Sequence, residues 1–472
     1  SLLLHSIFSC YPELPISPSP HLPTSSSENF ILKIEQFLKK EGREMAPNPA
    51  IMQAVERLNY RVTVGDVATQ AGLNIEMANQ GLLALATDAG GHLQVADTGD
   101  IVYLFPRNFR DVLRNKYLKL QLQEWWQKVW HVLFYLIRIS FGVVLIASIA
   151  LIYISIILIL TSSSDRDNGR GGGFGGGIGF FYLPDLFWFF SPNYNTGYRS
   201  HRRQREKSDL NFLEAVFSFL FGDGNPNANL EERRWKDIAT VIRNNGGAVV
   251  AEQITPYLDN LGETYQQQYE DYMLPVLTKF NGKPAVSPEG EIVYSFPELQ
   301  VTASENNSQS IPAFLREFSW HFSKATSSQV MLSAGLGGVN LIGALMLGGL
   351  LRDGSVAREI GGLVAFAQGI HWLLLAYGIG FLAIPLIRYF WIQWRNEKIG
   401  DRNSQRQSRA RLIESADEKL QEKINYAHQF AANTVIDKDK LVYSSETDLL
   451  QQEVERTAQI DAEWQKRLEN GE

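Results

Sequence analysis

The chain has 472 residues, a formal net charge of −7 at pH 7, and charged side chains at 20% of its positions. Its length corresponds to about three domains if the whole chain is soluble. The only cysteine is Cys10, which excludes an intrachain disulfide, a zinc site built on cysteines and a cysteine-ligated iron–sulfur cluster.

The N-terminal segment, residues 1–44, is rich in Ser and Pro and begins without Met. It lacks a basic stretch followed by a small-residue cleavage site, as a secretory signal would have. We interpret it as a disordered or wrongly started extension, with Met45 as a candidate start. A targeting peptide is the open alternative.

One short stretch occurs twice in the chain. Residues 99–106 read GDIVYLFP, and residues 290–297 read GEIVYSFP. Each copy predicts a β-hairpin with its turn at Gly99 or Gly290, followed by a β-branched and aromatic strand that stops at a proline. Because side chains alternate along a strand, Tyr103 and Tyr294 are expected on one face, with Val102 and Val293 on the other.

Helical patterns precede both hairpins. They cover residues 50–58, 65–71 and 74–86 in the first copy, and 232–244, 251–258 and 262–280 in the second. Gly72 is the predicted turn and Asn74 the predicted N-cap of the third helix in the first copy. This order is typical of a winged helix-turn-helix. We therefore predict winged-helix-like modules at 45–115 and 210–300; another small α+β repeat, or chance similarity of two hairpins, is the alternative.

Three long apolar runs carry no charge: residues 139–160, 330–351 and 363–387. Each is long enough to cross a hydrocarbon core of about 30 Å. We predict a basic amphipathic helix and a first transmembrane helix in 116–164, and further transmembrane helices at 328–352 and 360–388. The fold class is an α+β membrane protein: two winged-helix-like modules, a small transmembrane helical bundle, and a helical soluble C-terminal tail at 389–472.

The linker at 165–209, rich in Gly and aromatic residues, decides the topology. With three crossings alone, the basic residues in 107–138 would face away from those in 388–411, against the positive-inside bias. A crossing or re-entrant segment at 174–192 would bring all basic clusters, and both modules, to one side. Asp185 opposes this, since an aspartate at the bilayer centre costs about 3 kcal/mol. An interfacial aromatic segment is the alternative.

The charges of the modules argue against nucleic acid. The helix at 74–86, which would enter the major groove, contains no Lys or Arg. DNA affinity depends on neutralised phosphates, and guanine readout uses Arg or Lys. We therefore expect the modules to dock protein. The candidate interaction residues are Glu76, Asn79, Gln80, Tyr103 and Tyr294.

No residue set predicts catalysis, a cofactor or a metal. Gly171, Gly173 and Gly176 spell GxGxxG, but neither a preceding strand nor a P-loop lysine accompanies them. His371, in the third apolar run, has no evident second ligand. We expect no catalytic, cofactor-binding or metal-binding residues, and a protein that is not an enzyme.

Residues 61–142, from RVTVGDVATQAGL to YLIRISFG, resemble an uncharacterised membrane protein family of cyanobacteria and plant chloroplasts. The resemblance covers most of the chain after Met45. Plant members are sometimes labelled iron–sulfur cluster biosynthesis family proteins, a label that the residues do not support because Cys10 lies outside the matching region. The resemblance implies an integral protein of a cyanobacterial thylakoid or plasma membrane, or of a chloroplast membrane.

Together these observations predict a docking, scaffold or assembly factor of a photosynthetic-type membrane, acting through acidic winged-helix-like modules. Its partners would be the lipid bilayer and a protein of unknown identity, with a homo-oligomer left open. The alternative is a membrane-bound protein that handles a cofactor, in heme or iron–sulfur biogenesis, or an enzyme. A transporter ranks third, because the apolar runs contain few polar groups.

Overall fold

The structure, a computed structural model, describes residues 48–116, 118–164, 210–259, 261–262, 268–304, 309–352, 354–437 and 441–448, with single positions between 450 and 465. The extension at 1–44 and the linker at 165–209, including the segment 174–192 and the glycines of GxGxxG, lie outside the described residues. The described chain mixes helices and strands and is mostly helical.

The α-helices are numbered in chain order. They are α1 (Pro49–Arg57), α2 (Val64–Ala71), α3 (Ile75–Ala89), α4 (Phe109–Lys116), α5 (Leu118–Ser164), α6 (Phe212–Phe221), α7 (Leu230–Asn244), α8 (Ala251–Ile254), α9 (Leu274–Phe280), α10 (Pro297–Gln300), α11 (Ser327–Leu350), α12 (Ser355–Ile360), α13 (Gly362–Gly369), α14 (His371–Glu414) and α15 (Glu418–His428). Short 3₁₀ turns occur at Thr255–Tyr257 and Asp271–Met273.

The strands form three small sheets. They are β1 (Arg61–Val62), β2 (His92–Ala96), β3 (Ile101–Leu104), β4 (Ala248–Val249), β5 (Lys283–Val286), β6 (Ile292–Ser295), β7 (Val301–Thr302), β8 (Thr434–Val435) and β9 (Leu441–Ser444). The strand orders are β1-β3-β2-β9, β4-β6-β5 and β7-β8. Strand β7 pairs with β8 in parallel, and the other pairs are antiparallel.

The chain divides into two compact units. The first, which we call the sheet unit, consists of Ser1–Val129, Asn225–Ser319 and Asn396–Glu472, and it contains all the strands. The second, the helical unit, consists of Trp130–Gly224 and Trp320–Arg395. The predicted domain boundaries are not tested by this division and stay predictions.

Both predicted hairpins are confirmed, and they share one register. Tyr103 pairs with Leu93, and Tyr294 pairs with Pro284. The turns place Gly99 at φ 89° and Gly290 at φ 91°, a left-handed conformation that glycine adopts without a steric penalty. In each copy a helix, a short strand, two helical segments and the hairpin follow in the same order. The winged-helix class itself remains a prediction.

The helix signals in the first copy are also confirmed. Helix α2 ends at Gly72, whose φ of 65° is left-handed, and the Asn74 side chain accepts a hydrogen bond from the Glu76 N–H at 2.7 Å. Such caps satisfy backbone groups that helix ends leave unpaired. The start of α2 is fixed by a capping box between Thr63 and Asp66.

In the second copy two predicted helices are not continuous in the described residues. The pattern at 251–258 forms only the four-residue α8 before a 3₁₀ turn that contains Pro256. Within the pattern at 262–280, residues 263–267 lie outside the described residues, and the chain turns at 269–270 before a 3₁₀ turn and α9, which has Pro275 in its first turn. A proline lacks the N–H that continues an α-helix but suits its first turn, so each proline marks a boundary that periodicity alone overlooks.

The paired tyrosine and valine of each hairpin are buried on opposite faces of the strand. Val102 and Val293, which point away from the tyrosines, are 0% and 1% exposed. Val102 packs with Ala303 and Ile436, while Val293 packs with Ala427 of α15. The C-terminal residues thus cover both hairpins, and β9 extends the first sheet by pairing with β2. The predicted helical tail therefore contains strands as well as helices.

A buried charge cluster holds the end of α14 within the sheet unit. The Arg406 side chain is 1% exposed and lies 2.8 Å from a Glu317 carboxylate oxygen. Arg402 donates two hydrogen bonds to the same carboxylate, at 2.7 and 2.6 Å. Arg406 also pairs with Asp259. These arginines were predicted to mark membrane sidedness, and here they make protein contacts.

Within the described ranges, three helices are long and apolar enough to cross a membrane: Trp125–Ser162, Ser327–Leu350 and His371–Glu414. The third predicted span, 360–388, is not one helix, because α13 ends at Gly369 and α14 begins at His371. Ile370 between them adopts φ −105° and ψ 9°, outside helical geometry. Sequence hydropathy did not register this break because the run is apolar on both sides of it.

Glycines let the helices of the helical unit approach closely. A Cβ atom added at Gly337 would lie 2.5 Å from the Phe381 ring, and one at Gly343 would lie 2.9 Å from Ile152. Small residues at such contacts are typical of membrane helix packing. Asn340 is fully buried between these helices and accepts a hydrogen bond from the Ser148 hydroxyl at 2.8 Å.

Candidate docking site

A pocket of about 450 Å³ opens in the sheet unit, within the size range of about 300–1,000 Å³ typical of ligand pockets. The starts of α2 and α3 and the turn of the first hairpin form most of its wall. Residues of the second copy complete it. The lining residues are Thr63, Val64, Gly65, Asn74, Ile75, Glu76, Asn79, Gly99, Asp100, Ile101, Tyr103, Thr278, Asn281, Glu298 and Val301.

The cap of α3 positions one wall of the pocket. Since Asn74 fixes the first turn, Glu76 and Asn79 lie three residues apart on the same helix face. The hairpin places Tyr103 opposite this face. The Tyr103 hydroxyl donates to Asn79 Oδ1 at 3.3 Å, which joins the helix to the strand. At the turn, the Thr98 hydroxyl donates to the Asp100 carboxylate at 2.6 Å.

The pocket is acidic. Three of its residues carry carboxylates, namely Glu76, Asp100 and Glu298, and among the described residues that line it none is Lys, Arg or His. Like charges near one cleft attract cations and repel anions, so this wall favours a cationic group over a phosphate. Burial raises the pKa of Tyr103, which keeps its phenol protonated and able to donate.

These carboxylates are less suited to a metal ion than to an organic cation. Across the ranges that the structure describes, three or more His, Cys, Asp or Glu side chains do not gather closely enough to hold a metal ion. His371, at the start of α14, packs its ring against Gly348. The pocket therefore offers dispersed acceptors, which suit an organic cation such as a basic side chain.

The pocket brings together three of the five predicted interaction residues: Glu76, Asn79 and Tyr103. Gln80 stands beside it and donates to Glu76 Oε1 at 2.7 Å. Tyr294 lies in the second copy. Whether any of them contacts a partner stays a prediction.

The pocket is also lined by four residues that are not among the predicted interaction residues: Asp100, Glu298, Thr278 and Asn281. A signal existed for Asp100, because its partner in the repeated stretch, Glu291, is also acidic. Thr278 and Asn281 come from the other copy of the repeat. Only the packing of the two copies could bring them to this site.

In the second copy the equivalent region binds a lysine. The Tyr294 hydroxyl donates to Glu270 Oε2 at 2.7 Å. Lys423 of α15 is buried, and its ammonium lies 2.8 Å from Glu270 and 3.0 Å from Glu252. Burial alone lowers the pKa of Lys423, but the charges and hydrogen bonds of Glu252 and Glu270 outweigh it and raise the pKa above its ordinary value.

The helical unit has a polar layer at one end. The Asp223 carboxylate accepts hydrogen bonds from Arg138 at 2.7 Å, the Ser218 hydroxyl at 2.5 Å and the backbone N–H of Lys324 at 2.8 Å. Arg388, which is buried, donates to the backbone carbonyls of Ser218 and Phe219 and also to that of Phe322. Each ion in this layer is therefore paired or hydrogen-bonded, as the burial of a charge requires.

The fold and the site define a class: a mixed helix and strand protein with three helices apolar enough to span a membrane and an acidic pocket in its strand-containing unit. Family models and solved structures gave no match. The chain is 41% identical over 433 residues to an uncharacterized chloroplastic protein of Arabidopsis thaliana, covering 88% of this chain and 81% of that protein. The chain belongs to the family of this chloroplastic protein.

The expected likeness to a chloroplast family is thereby confirmed. This relative does not confirm the expected cyanobacterial members, which stay a prediction, or the iron–sulfur label, which the residues of this chain do not support.

Proposed function

We propose that the protein is anchored in a chloroplast membrane and docks a partner protein through the acidic pocket of its sheet unit. The observation that carries the proposal is a pocket of about 450 Å³ in which every charged lining residue that the structure describes is a carboxylate. Two exposed apolar side chains lie beside these carboxylates. Leu83, 53% exposed, follows Glu76 and Asn79 along one face of α3, and Ile101, 43% exposed, lines the pocket.

Carboxylates beside exposed apolar side chains suit a protein surface better than a nucleic acid. Phosphates would be repelled by Glu76, Asp100 and Glu298. Apolar contacts at the centre of an interface supply affinity, and the charges around them supply orientation and discrimination between partners. We therefore assign the protein to binding and assembly rather than to catalysis.

Membrane anchoring is supported by the three apolar helices and by the polar layer of the helical unit. Ser164 lies 26 residues beyond Arg138 in one continuous helix, or about 39 Å at 1.5 Å per residue. That length exceeds a hydrocarbon core of about 30 Å. Arg138 and Asp223, which are in contact, therefore belong to one membrane face, and Ser164 to the other.

Arg388 of α14 belongs to the same polar layer as Arg138, because it bonds to Ser218 and Phe219. This topology therefore assigns the chain before Arg138 and the chain after Arg395 to one compartment. Single cysteines at Ser162, Ser319, Ser355 and Ser408, with Cys10 replaced, would be treated with a membrane-impermeant maleimide in sealed vesicles. We expect Ser319 and Ser408 to react together, and Ser162 with Ser355 only after the vesicles are opened. Reaction of Ser319 together with Ser162 would contradict the topology.

Docking is tested in the native membrane with a photo-crosslinking amino acid at Leu83. We expect one discrete partner to be captured, and capture to fall at least tenfold when Asp100→Lys reverses a pocket charge. Glu289→Lys is the matched control, because Glu289 is exposed and belongs to the other hairpin turn. Capture that Asp100→Lys leaves unchanged would remove the pocket from the interface.

A further inference from the structure

The two copies of the repeat carry the same site. The hydroxyl of Tyr103 bonds to Asn79 and that of Tyr294 to Glu270, and the two residues of each pair are 24 positions apart. The hairpin turns place Asp100 and Glu291 at the same position, since Ala96 N–H bonds to the Asp100 carbonyl as Ser287 N–H bonds to that of Glu291.

The start of the second helix aligns as well. Thr63 N–H bonds to the side chain three residues on, at Asp66, as Val250 N–H bonds to that of Gln253. Two positions after these N-caps come Gly65 in the first copy and Glu252 in the second. The group Gly65, Asn79, Asp100 and Tyr103 is therefore equivalent to the group Glu252, Glu270, Glu291 and Tyr294. All four residues of the first group line the acidic pocket.

In the second copy this position is filled by the protein itself. Lys423 is 3% exposed at its side chain and lies within 3.9 Å of each of Glu252, Glu270 and Glu291. Apolar residues of the same helix pack around the outer face of the hairpin: Ala427 is buried against Val250 and Val293, with Leu420 and Ile424 beside it. Helix α15 thus combines one buried lysine with apolar residues three before, one after and four after it.

In the first copy the equivalent position forms the acidic pocket. Ala303 and Ile436 cover the outer face of this hairpin, and the Glu298 backbone lies against Gly65. The carboxylates of the pocket come from Asp100, from Glu76 on α3 and from Glu298. Asp100 keeps the position of Glu291, which contacts both Lys419 and Lys423. Of the three carboxylates around Lys423, only Glu291 has an acidic equivalent, Asp100, while Glu76 and Glu298 supply carboxylates from other positions. Among the lining residues that the structure describes, none is a cation that could neutralise these charges.

We infer that the pocket binds a lysine from an amphipathic segment of the partner protein, in the way that the second copy binds Lys423. This inference rests on the proposed docking function and states its chemistry. The ammonium would lie among Glu76, Asp100 and Glu298, and apolar residues of the segment would pack on Ile101 and Leu83. A lysine suits the site because its ammonium is a compact charge that several separate carboxylates can share.

The probe is a fluorescent peptide of residues 417–429, added to the full-length protein in detergent and followed by fluorescence anisotropy. We expect saturable binding that weakens as salt rises, and at least tenfold weaker binding by the same peptide with Lys423→Glu. In the protein, Asp100→Lys should weaken binding at least tenfold. Asn79→Glu should tighten it about fivefold, because it recreates the tyrosine–glutamate pair of the second copy.

Thr87→Lys is the matched control, since Thr87 is exposed on α3 and does not line the pocket. Thermal unfolding of each variant checks that it is folded. The inference is overturned if the wild-type protein does not bind the peptide, or if Asp100→Lys and Thr87→Lys act alike. It is also overturned if binding responds to Glu270→Gln but not to Asp100→Lys. That result would mean that the peptide displaces α15 from the second copy and does not enter the pocket of the first.

The two proposals fail separately. A partner captured at Leu83 without peptide binding would leave docking in place and remove the lysine chemistry. Peptide binding that responds to Asp100→Lys, without a captured partner, would leave the lysine site in place and remove the docking function.

Discussion

The two copies of the repeat share one hairpin register, yet one holds a buried lysine and the other an open pocket. The difference comes from a few side chains. The second copy has Glu252 and Glu270 where the first has Gly65 and Asn79. Two added carboxylates make a site that needs a buried cation, and α15 supplies it. The comparison shows how a duplicated module can be closed by its own chain in one copy and left available in the other.

The largest effect should come from removing the lysine of the closed copy. Lys423→Ala leaves Glu252 and Glu270 without their cation in a largely buried site, and loss of one partner of a buried ion pair costs about 3–5 kcal/mol. We expect a clear loss of thermal stability and faster proteolysis between α14 and α15.

Lys419→Ala is the control for that experiment. The Lys419 side chain is 83% exposed and lies 3.7 Å from Glu291, so its removal should change stability by less than about 1 kcal/mol. Equal effects of the two substitutions would show that the buried lysine does not hold α15.

The next prediction compares the two tyrosines. Tyr294→Phe removes a 2.7 Å hydrogen bond to a carboxylate, which is worth about 1.5–3 kcal/mol. Tyr103→Phe removes a 3.3 Å bond to a neutral amide, worth about 0.5–1.5 kcal/mol. Thermal unfolding of the two variants should therefore give a larger decrease for Tyr294→Phe. A larger decrease for Tyr103→Phe would contradict the assignment of the stronger tyrosine hydrogen bond to the closed, second copy.

Alkaline pH should loosen the closed copy selectively. The carboxylates raise the pKa of Lys423 above its ordinary 10.5, so the folded state binds this proton more tightly than the unfolded state. The stabilisation is present below pH 10.5 and is lost as pH rises from there through the folded pKa. Proteolysis after α14 should accelerate over this range.

The control for the pH effect is Lys423→Met, which has no ammonium to titrate. Its proteolysis rate should be higher at neutral pH and should change less between pH 10 and the alkaline limit than that of the wild-type protein. A parallel rise in both proteins would assign the effect to other groups, such as Tyr294, whose pKa burial and the bond to Glu270 also raise.

The smallest effect is expected at Gln80. Its amide donates to Glu76 across one helix turn, a contact worth about 0.2–0.5 kcal/mol, and it does not line the pocket. Gln80→Ala should leave stability and peptide affinity nearly unchanged. A large loss of partner capture in this variant would instead extend the docking surface beyond the pocket, toward the outer side of α3.

Local features were readable from the sequence because they depend on short-range geometry. The glycine turns at Gly99 and Gly290, the strand alternation around Tyr103 and Tyr294, and the cap at Asn74 each involve residues close in the chain. Long apolar runs likewise determined three helices able to span a membrane. Pro256 and Pro275 also interrupt or begin helices, although the apolar periodicity continues through both positions.

The candidate site depended on contacts between residues far apart in sequence. Glu298, Thr278 and Asn281 reach the pocket because the second copy of the repeat packs in the same unit. Ile436 and Ala427 cover the hairpins because the C-terminal segment folds back onto them. Lys423 looks like an ordinary charged residue on an amphipathic helix, and only its burial among Glu252, Glu270 and Glu291 reveals which position the open copy leaves empty. Composition and periodicity indicate which face of each segment can be buried. Tertiary packing decides which other segment of the chain covers that face.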